Sequence, residues 1–353
     1  MKKTPHLNFK ELPGFDNHEL VVHHNDPATG LRGFIAIHNT NLGPATGGTR
    51  YWRYAGDEEA LADALRLSRA MTYKCALAGV PFGGGKSVIM ADPRRPKNAA
   101  FLRAYARKVD VLNGLYTTGE DVGISDSDVH VMAKESRFIN GARGAGDLAP
   151  WAARGVFYGM QAALKARYGT DDMFGRTIAV KGLGKLGFFL CKLINDAGGN
   201  LIGADVSDSA LRAARRAFPK MKIVRPTEIH KQEVDIYSPC ALGNEFGAPT
   251  VAQLKCAIVC GGANNQLVTR EDGARLHKRS ILYVPDYLAN AGGLINVVGE
   301  FHKGGYSRAW VEKKTKDIRS TAAKVIALSQ KTRKSTSEVA DELAERCFAH
   351  RSR

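Results

Sequence analysis

No Cys-x-x-Cys pair occurs among the six cysteines of this 353-residue chain. Cys256 and Cys260 are spaced Cys-x-x-x-Cys, but no second pair and no His-x-x-x-His follows, so the common zinc frameworks are excluded. The ten histidines are scattered, and none stands at ligand spacing with a carboxylate; no metal is expected. No apolar run approaches the roughly 18 residues that a membrane span requires. The N-terminal MKKTPHLNFKELPGF carries basic residues but lacks the apolar stretch of a secretory signal. A cytoplasmic protein with reduced thiols is expected, with no membrane partner. Gly-x-Ser-x-Gly and Cys/His nucleophile patterns are missing too.

The chain is also short of negative charge, with 35 Asp and Glu against 51 Lys and Arg, for a net +16. From His302 to Arg353 there are 13 Lys or Arg against 6 Asp or Glu. Such an excess attracts anionic surfaces nonspecifically. No nucleic-acid module with interleaved aromatics accompanies it, so it is read as a solvated helical face, with no specific nucleic-acid partner. With 44% hydrophobic and 24% charged residues, the composition is that of a globular protein, and the length suggests two domains.

Among the features present, Met71 to Ser87, MTYKCALAGVPFGGGKS, stands out. Its Gly83-Gly84-Gly85-Lys86 resembles a phosphate loop, but the motif needs glycine where Val80 stands, so that pattern fails. The run is read instead as a glycine turn that brings Lys86 to a ligand, with Lys74 nearby at the end of a helix over 57–79 whose N-cap is Asp57. Before it, LVVHHND and LRGFIAIHN read as paired strands, with His23-His24 on the strand surface. Gly47-Gly48 lies in a loop able to approach a ligand. Helices are expected over 98–113, 125–135 and 151–168, the last bridging two domains. The glycine-rich NGARGAGD places a domain boundary near Asp147.

From Thr177 the rhythm becomes strand, glycine turn, helix, strand. Gly182, Gly184 and Gly187 form a full Gly-x-Gly-x-x-Gly after a strand and before a helix, and Asp205 ends the next strand 18 residues beyond the last glycine. This is a dinucleotide fingerprint in its required context. The pyrophosphate belongs on the helix N-terminus. Asp205 would accept from the adenosine ribose and repel a 2′-phosphate, which favours NAD over NADP. Further strands alternate with helices such as 270–278, as in a doubly wound sheet. The expected fold is α/β, with an N-terminal α/β substrate domain over 1–147, a Rossmann-type domain over 148–329 and a cleft between them. Amphipathic helices over 317–329 and 336–349 follow, and the C-terminal stretch 330–353 is expected to pack back on the first domain. With a dinucleotide in the second half, the substrate belongs to the first. Two lysines and an aspartate, Lys74, Lys86 and Asp121, suit oxidation of an amino acid: one cation holds a carboxylate, one base serves water, and one acid serves nitrogen.

LGPATGGTR, DALRLSRAMTYKCALAG, GGGKSVI, TTGEDVG, APWAARGVFYGM, KGLGKLG, SPCALG, CGGANNQL and PDYLANAGGLINV occur in this order, and with them the chain resembles the Glu/Leu/Phe/Val dehydrogenases from about Leu20 onward. The resemblance implies deamination of an L-amino acid to a 2-oxo acid and ammonium, by a homo-oligomer. It implies Lys86 as general base for water, Asp121 as the acid handling the amine proton, and Lys74 as the carboxylate anchor. Gly47, Gly48 and Asn265 would lie near substrate. Lys185, Leu186, Ala241 and Asn264 would join the glycines and Asp205 around NAD. Thr46, Gly119, Leu294 and Val297 would shape the side-chain pocket. Glycine at 119 and leucine at 294 lean toward phenylalanine, with branched-chain substrates as the alternative. An alternative of another class is a noncatalytic NAD-binding regulator with a basic tail. Two positions depart from the family pattern: Ala152 stands where threonine is usual, and Asn244 where glycine is.

Overall fold

The computed structural model describes residues 8–349. They divide into two compact units: the first holds the chain up to Gly146, Glu300–Tyr306 and the chain from Ala344, and the second holds Asp147–Gly299 and Ser307–Leu343.

The first unit contains β1 (Leu20–Asp26), β2 (Leu31–Asn39), β3 (Ala45–Thr46), β4 (Thr49–Trp52), α1 (Asp57–Ala78), β5 (Gly83–Met90), α2 (Ala99–Asp110), β6 (Tyr116–Thr117) and α3 (Asp126–Met132). Its sheet runs β1-β2-β5-β3-β6, with β4 also paired to β5. β1, β2 and β5 are antiparallel neighbours, whereas β3 and β4 run parallel to β5. Successive side chains of a strand face opposite ways. Val88 accordingly joins Phe34, Ala36 and the α1 residues Ala60, Leu61, Ala64 and Leu65 in one core, and Ile89 joins Ile35, Ile37, Phe101 and Tyr105 in another.

The glycine run is not a turn. Gly83–Gly85 are buried within β5, because its neighbours leave no room for side chains. A Cβ at Gly84 would sit 2.1 Å from Thr72 Oγ1 on α1, one at Gly83 2.0 Å from Asn39 O, and one at Gly85 2.7 Å from the Tyr116 ring. Helix α1 starts from Gly56 as N-cap, one residue before the expected Asp57, and ends at left-handed Gly79. His24 is not surface: strand alternation turns it inward, 3% exposed, against Tyr105.

The second unit contains α4 (Ala149–Tyr168), β7 (Thr177–Lys181), α5 (Lys185–Asp196), β8 (Asn200–Ala204), α6 (Asp208–Ala217), β9 (Lys222–Ile223), β10 (Val234–Pro239), α7 (Ala248–Gln253), β11 (Cys256–Val259), α8 (Arg270–Lys278), β12 (Leu282–Tyr283), α9 (Asp286–Ala289), α10 (Gly292–Val298), α11 (Arg308–Thr332) and most of α12 (Thr336–Phe348). The sheet is parallel, in the order β12-β11-β10-β7-β8-β9. Counted from β7, this is the 3-2-1-4-5-6 order of doubly wound dinucleotide-binding sheets, whose ligand crevice lies where the order reverses, between β7 and β10.

Two expectations about connection are corrected. Helix α4 belongs wholly to the second unit, where α5, α10 and α11 pack on it, and does not bridge. After the short return at Glu300–Tyr306, the chain rejoins the first unit at Ala344, late in α12, rather than near residue 330. There the Tyr73 hydroxyl donates to Glu345 at 2.8 Å and the Phe348 ring meets Tyr73 and His38. Residues 350–353 of the expected C-terminal stretch lie outside the described residues. In the same unit, Glu300 reaches back to the glycine-rich 141–145 segment. Its carboxylate accepts from the backbone N–H groups of Gly141, Arg143 and Ala145 at 2.7–2.9 Å. No helix among the described residues is long and apolar enough to cross a membrane.

Candidate active site

In the first unit the candidate pair Lys86 and Asp121 meets on the α1 face of the sheet. Lys86, two residues after Gly84 on β5, shares its face, the one that α1 covers. The Lys86 side chain is only 7% exposed, and its Nζ lies 2.9 Å from Asp121 Oδ2. Lys74 is half-buried on α1, four residues before its end at Ala78. Asp121 follows β6 on a segment that runs beside β3 and β4, where Thr49 N–H donates to Gly119 O and Tyr51 N–H to Val122 O. Gly48 lets that segment close in, since a Cβ there would sit 2.3 Å from Glu120 O and 2.9 Å from Asp121 Cβ. At Gly47 a Cβ would meet Gly85 O at 1.9 Å. Both glycines therefore serve close backbone packing around the lysine-bearing strand.

The same carboxylate oxygen of Asp121 also accepts from Arg50 Nε at 3.3 Å. The Arg50 guanidinium continues through Nη1 to Asp63 Oδ2 at 3.0 Å, where the Tyr54 hydroxyl also donates at 2.8 Å. Burial works against ionisation of Asp121, but the cations of Lys86 and Arg50 outweigh it and hold its pKa below the ordinary carboxylate value. Asp121 is thus a proton acceptor at neutral pH. Arg50, Asp63 and Tyr54 are not among the site residues expected from the sequence. A signal was present: β4 reads Thr-Arg-Tyr-Trp, with Thr49 turned into the opposite core, so Arg50 faces α1.

The pocket positions fall in two places. Thr46 is buried, its hydroxyl accepting from that of Thr117 at 3.0 Å. Gly119 is also buried, and a Cβ there would lie 2.1 Å from Asn140 Oδ1 and 2.7 Å from Asn140 O. The glycine therefore answers to Asn140, and its missing methyl is no measure of room for substrate. In the second unit, Leu294 and Val297 stand three residues apart on α10 and are half-buried, whereas Ile295, Asn296 and Val298 are buried. Ala152 is buried on α4, its Cβ 3.7 Å from where a Cβ at Gly293 would stand.

The dinucleotide fingerprint sits at the reversal of strand order. Gly182 has φ +97°, and a Cβ on it would meet the Ala241 backbone N at 2.7 Å. Gly187 packs on Gly182, with only 1.9 Å from a built Cβ to Gly182 O. Gly184 faces open space and caps α5 without any side-chain bond, so N–H groups of the first turn are offered outward. These features fit a pyrophosphate. Lys185 is exposed at the helix start, whereas Leu186 packs toward Gly262, where a built Cβ would be 2.4 Å from its Cδ2. Asp205 accepts from Leu183 N–H at 2.6 Å and Ser207 N–H at 2.7 Å, which fixes the turn beside it. Ala241 is exposed past β10, and exposed Asn264 accepts from Asn290 at 2.8 Å. Asn265 and Asn244 are both left-handed, at φ +53° and +58°, and Asn244 N–H donates to Asn265 O at 2.7 Å. Asparagine is among the few side chains that tolerate this conformation, which explains its replacing glycine at 244.

Both parts have known counterparts. Residues 18–140 match the Glu/Leu/Phe/Val dehydrogenase dimerisation domain, and 211–344 match the Glutamate/Leucine/Phenylalanine/Valine dehydrogenase domain. The leucine dehydrogenase of Bacillus subtilis (strain 168) is 42% identical over 341 residues, covering 96% of this chain and 93% of that protein. The phenylalanine dehydrogenase of Lysinibacillus sphaericus is 42% identical over 310 residues, covering 86% and 81%. The crystal structure of L-tryptophan dehydrogenase from Nostoc punctiforme superposes with a TM-score of 0.83 at 39% identity, covering 94% of this chain and 96% of that one. With both parts matched and such identity sustained along nearly its whole length, the chain belongs to the Glu/Leu/Phe/Val dehydrogenase family and is an amino-acid dehydrogenase.

Proposed function

We propose that the protein carries out NAD-dependent oxidative deamination of a neutral L-amino acid, with phenylalanine as the leading substrate. The carrying observation is the 2.9 Å pair of buried Lys86 and half-buried Asp121 on the sheet face that α1, bearing Lys74, covers. Lys74 holds the substrate carboxylate. Lys86 takes a proton from the water that adds to the imine carbon, and Asp121 takes one from the amine nitrogen. Their shared hydrogen bond lets a proton pass between them. Gly47 and Gly48 keep the backbone close behind these groups. The first unit is thus the substrate domain and the second the dinucleotide domain. When bound, the dinucleotide supplies the two-electron acceptor, held by Gly182, Gly184, Lys185 and Gly187, with Ala241, Asn264 and Asn265 nearby. Asp205 retains lone pairs for ribose hydroxyls, and its charge repels a 2′-phosphate, which favours NAD over NADP.

Leu294 and Val297, on the more open side of α10, support the aromatic preference together with the resemblance to phenylalanine and tryptophan dehydrogenases. In the first unit, buried Thr46 is the position proposed to face the substrate side chain. Leucine dehydrogenases of equal identity keep a branched-chain substrate as the second reading. The noncatalytic regulator loses its ground with the family assignment. The match to a dimerisation domain supports a homo-oligomer, and six free thiols support the cytoplasm.

The test is NADH formation with Phe, Tyr, Trp, Leu, Ile, Val and Glu. Phenylalanine should lead; faster turnover of the branched-chain set would replace the aromatic reading. Lys86→Ala should lose about 10²–10⁴-fold in turnover while still binding NAD. Near-normal turnover of that variant would remove the base assignment.

A further inference from the structure

We propose that Arg50 is a positioning residue for the reaction: its guanidinium, anchored on Asp63, holds the Asp121 carboxylate against Lys86. The inference rests on the roles of Lys86 and Asp121 given above. Arg50 sits on β4 opposite Val88 of β5, two residues along from Lys86, so one strand register sets the spacing of both cations that reach Asp121. Nε of the guanidinium serves Asp121 at 3.3 Å and Nη1 serves Asp63 at 3.0 Å. A planar fork can hold two carboxylates in fixed relation; an ammonium on a flexible stem cannot. Asp63 is itself fixed by the Tyr54 hydroxyl at 2.8 Å and by Arg66 at 2.7 Å. The anchor is partly withdrawn from water, with Arg50 21% and Asp63 15% exposed, where ion pairs are screened less than on the surface.

The arrangement does two things for the chemistry. It aims the Asp121 oxygen, and it divides that oxygen's charge between two cations, so that Lys86 is not held as the sole counter-ion. Other ionisable groups around the carboxylate are Tyr54, whose pKa is raised chiefly by burial, and Tyr116 of β6, held well above the usual tyrosine value by burial and therefore neutral. Glu120 adjoins it in sequence. Removing Arg50 leaves Asp121 with Lys86 as its remaining cation, which makes the carboxylate hold its proton to higher pH.

The experiment compares Arg50→Met, Arg50→Lys and Asp63→Asn in the full chain, measuring kcat, KM and the pH profile of amino-acid oxidation with NAD. Arg50→Met should lower kcat by about 10²-fold, the scale of a misplacement of about 1 Å. It should shift the acidic limb of the profile to higher pH, with KM for the amino acid changed only a few-fold. Arg50→Lys should return the limb toward its original position without restoring kcat, because charge is kept and the fork is lost. Asp63→Asn should show the kcat loss in milder form, and it carries the test alone if Arg50→Met does not fold. A variant set with lowered melting temperature but wild-type kcat and an unmoved limb would overturn the proposal and make Arg50 a structural ion pair. If Lys86→Ala is inactive in that case, the proposed function stands and only the role of Arg50 falls. If Lys86→Ala is active, the catalytic reading fails first.

Discussion

Gly119→Ala is the substitution that separates packing from specificity most sharply. The added methyl would meet Asn140 Oδ1 at 2.1 Å and Asn140 O at 2.7 Å. Asn140 cannot easily withdraw, because its N–H donates to Thr118 O at 2.7 Å and its side chain is 3% exposed. Overpacking of this kind costs about 1–3 kcal/mol. For a unit of this size that is a fall in melting temperature of roughly 2–12 °C, at about 2–4 °C per kcal/mol. Thermal melts of Gly119→Ala, Asn140→Ala and the double variant should show coupling, with the double variant less destabilised than the two singles together by about 0.5–3 kcal/mol. The remaining approach to Asn140 O should keep recovery partial. The ratio of kcat/KM for phenylalanine over leucine should change by less than about tenfold, the lower end of what one methyl in a substrate pocket achieves. A Gly119→Ala protein as stable as the parent, with that ratio moved by about 10–200-fold, would show that the position faces substrate and refute the packing argument.

Glu300→Gln should leave at least one of the Gly141, Arg143 and Ala145 amides without its acceptor, at about 1–3 kcal/mol. Amide hydrogen exchange at these positions should quicken, and unchanged protection would speak against the clamp. The His24 pKa is pushed down to about 3 by burial first, then by His23 and Lys108, from an ordinary value near 6.5. The unfolded chain therefore binds the proton first, so His24 contributes stability that is present above about pH 6.5 and lost as pH falls toward 3, by about 5 kcal/mol over the whole window. Neither ring nitrogen has a hydrogen-bond partner among the described residues, so His24→Leu should flatten the acid loss in melts taken between pH 6.5 and 3 and should not lower stability at neutral pH; an unaltered pH slope would contradict this. Asn244→Ala should cost about 1–2 kcal/mol because φ is +58°, and Asn244→Gly close to nothing; equal melting of the two variants would show that the left-handed backbone is not a constraint.

The doubly wound half was legible because its signals are local. Gly182, Gly184 and Gly187 lie within six residues and Asp205 closes the next strand, so spacing alone implies their arrangement. The triple glycine misled for the opposite reason. What requires glycine at 83, 84 and 85 is the backbone of Asn39, the helix at Thr72 and the ring of Tyr116, none of which is adjacent in sequence. Arg50 and Asp121 are likewise 71 residues apart, and only the parallel pairing of β4 with β5 and the run of 117–122 beside it makes them partners. His24 shows the limit of judging a side chain by type: strand alternation, not polarity, sends it inside. The family motifs named Lys74, Lys86 and Asp121 as functional but carried no statement of what holds them in place.

The first unit closes on residues that the chain supplies last. Its sheet and helices are complete by Gly146, yet Glu300 and the Glu345–Phe348 end of α12 are among its parts. During synthesis at about 5–20 residues per second, some 200 residues must still be made before that end exists, a delay of roughly 10–40 seconds. The half of the protein that is translated first is therefore the half that finishes second. Until then it must wait with Tyr73 and His38 uncovered, one residue from Lys74. A fragment ending at Gly146 would stop permanently at that stage, and removal of the last helix would reach the unit that carries Lys86 and Asp121 rather than trimming a dispensable tail.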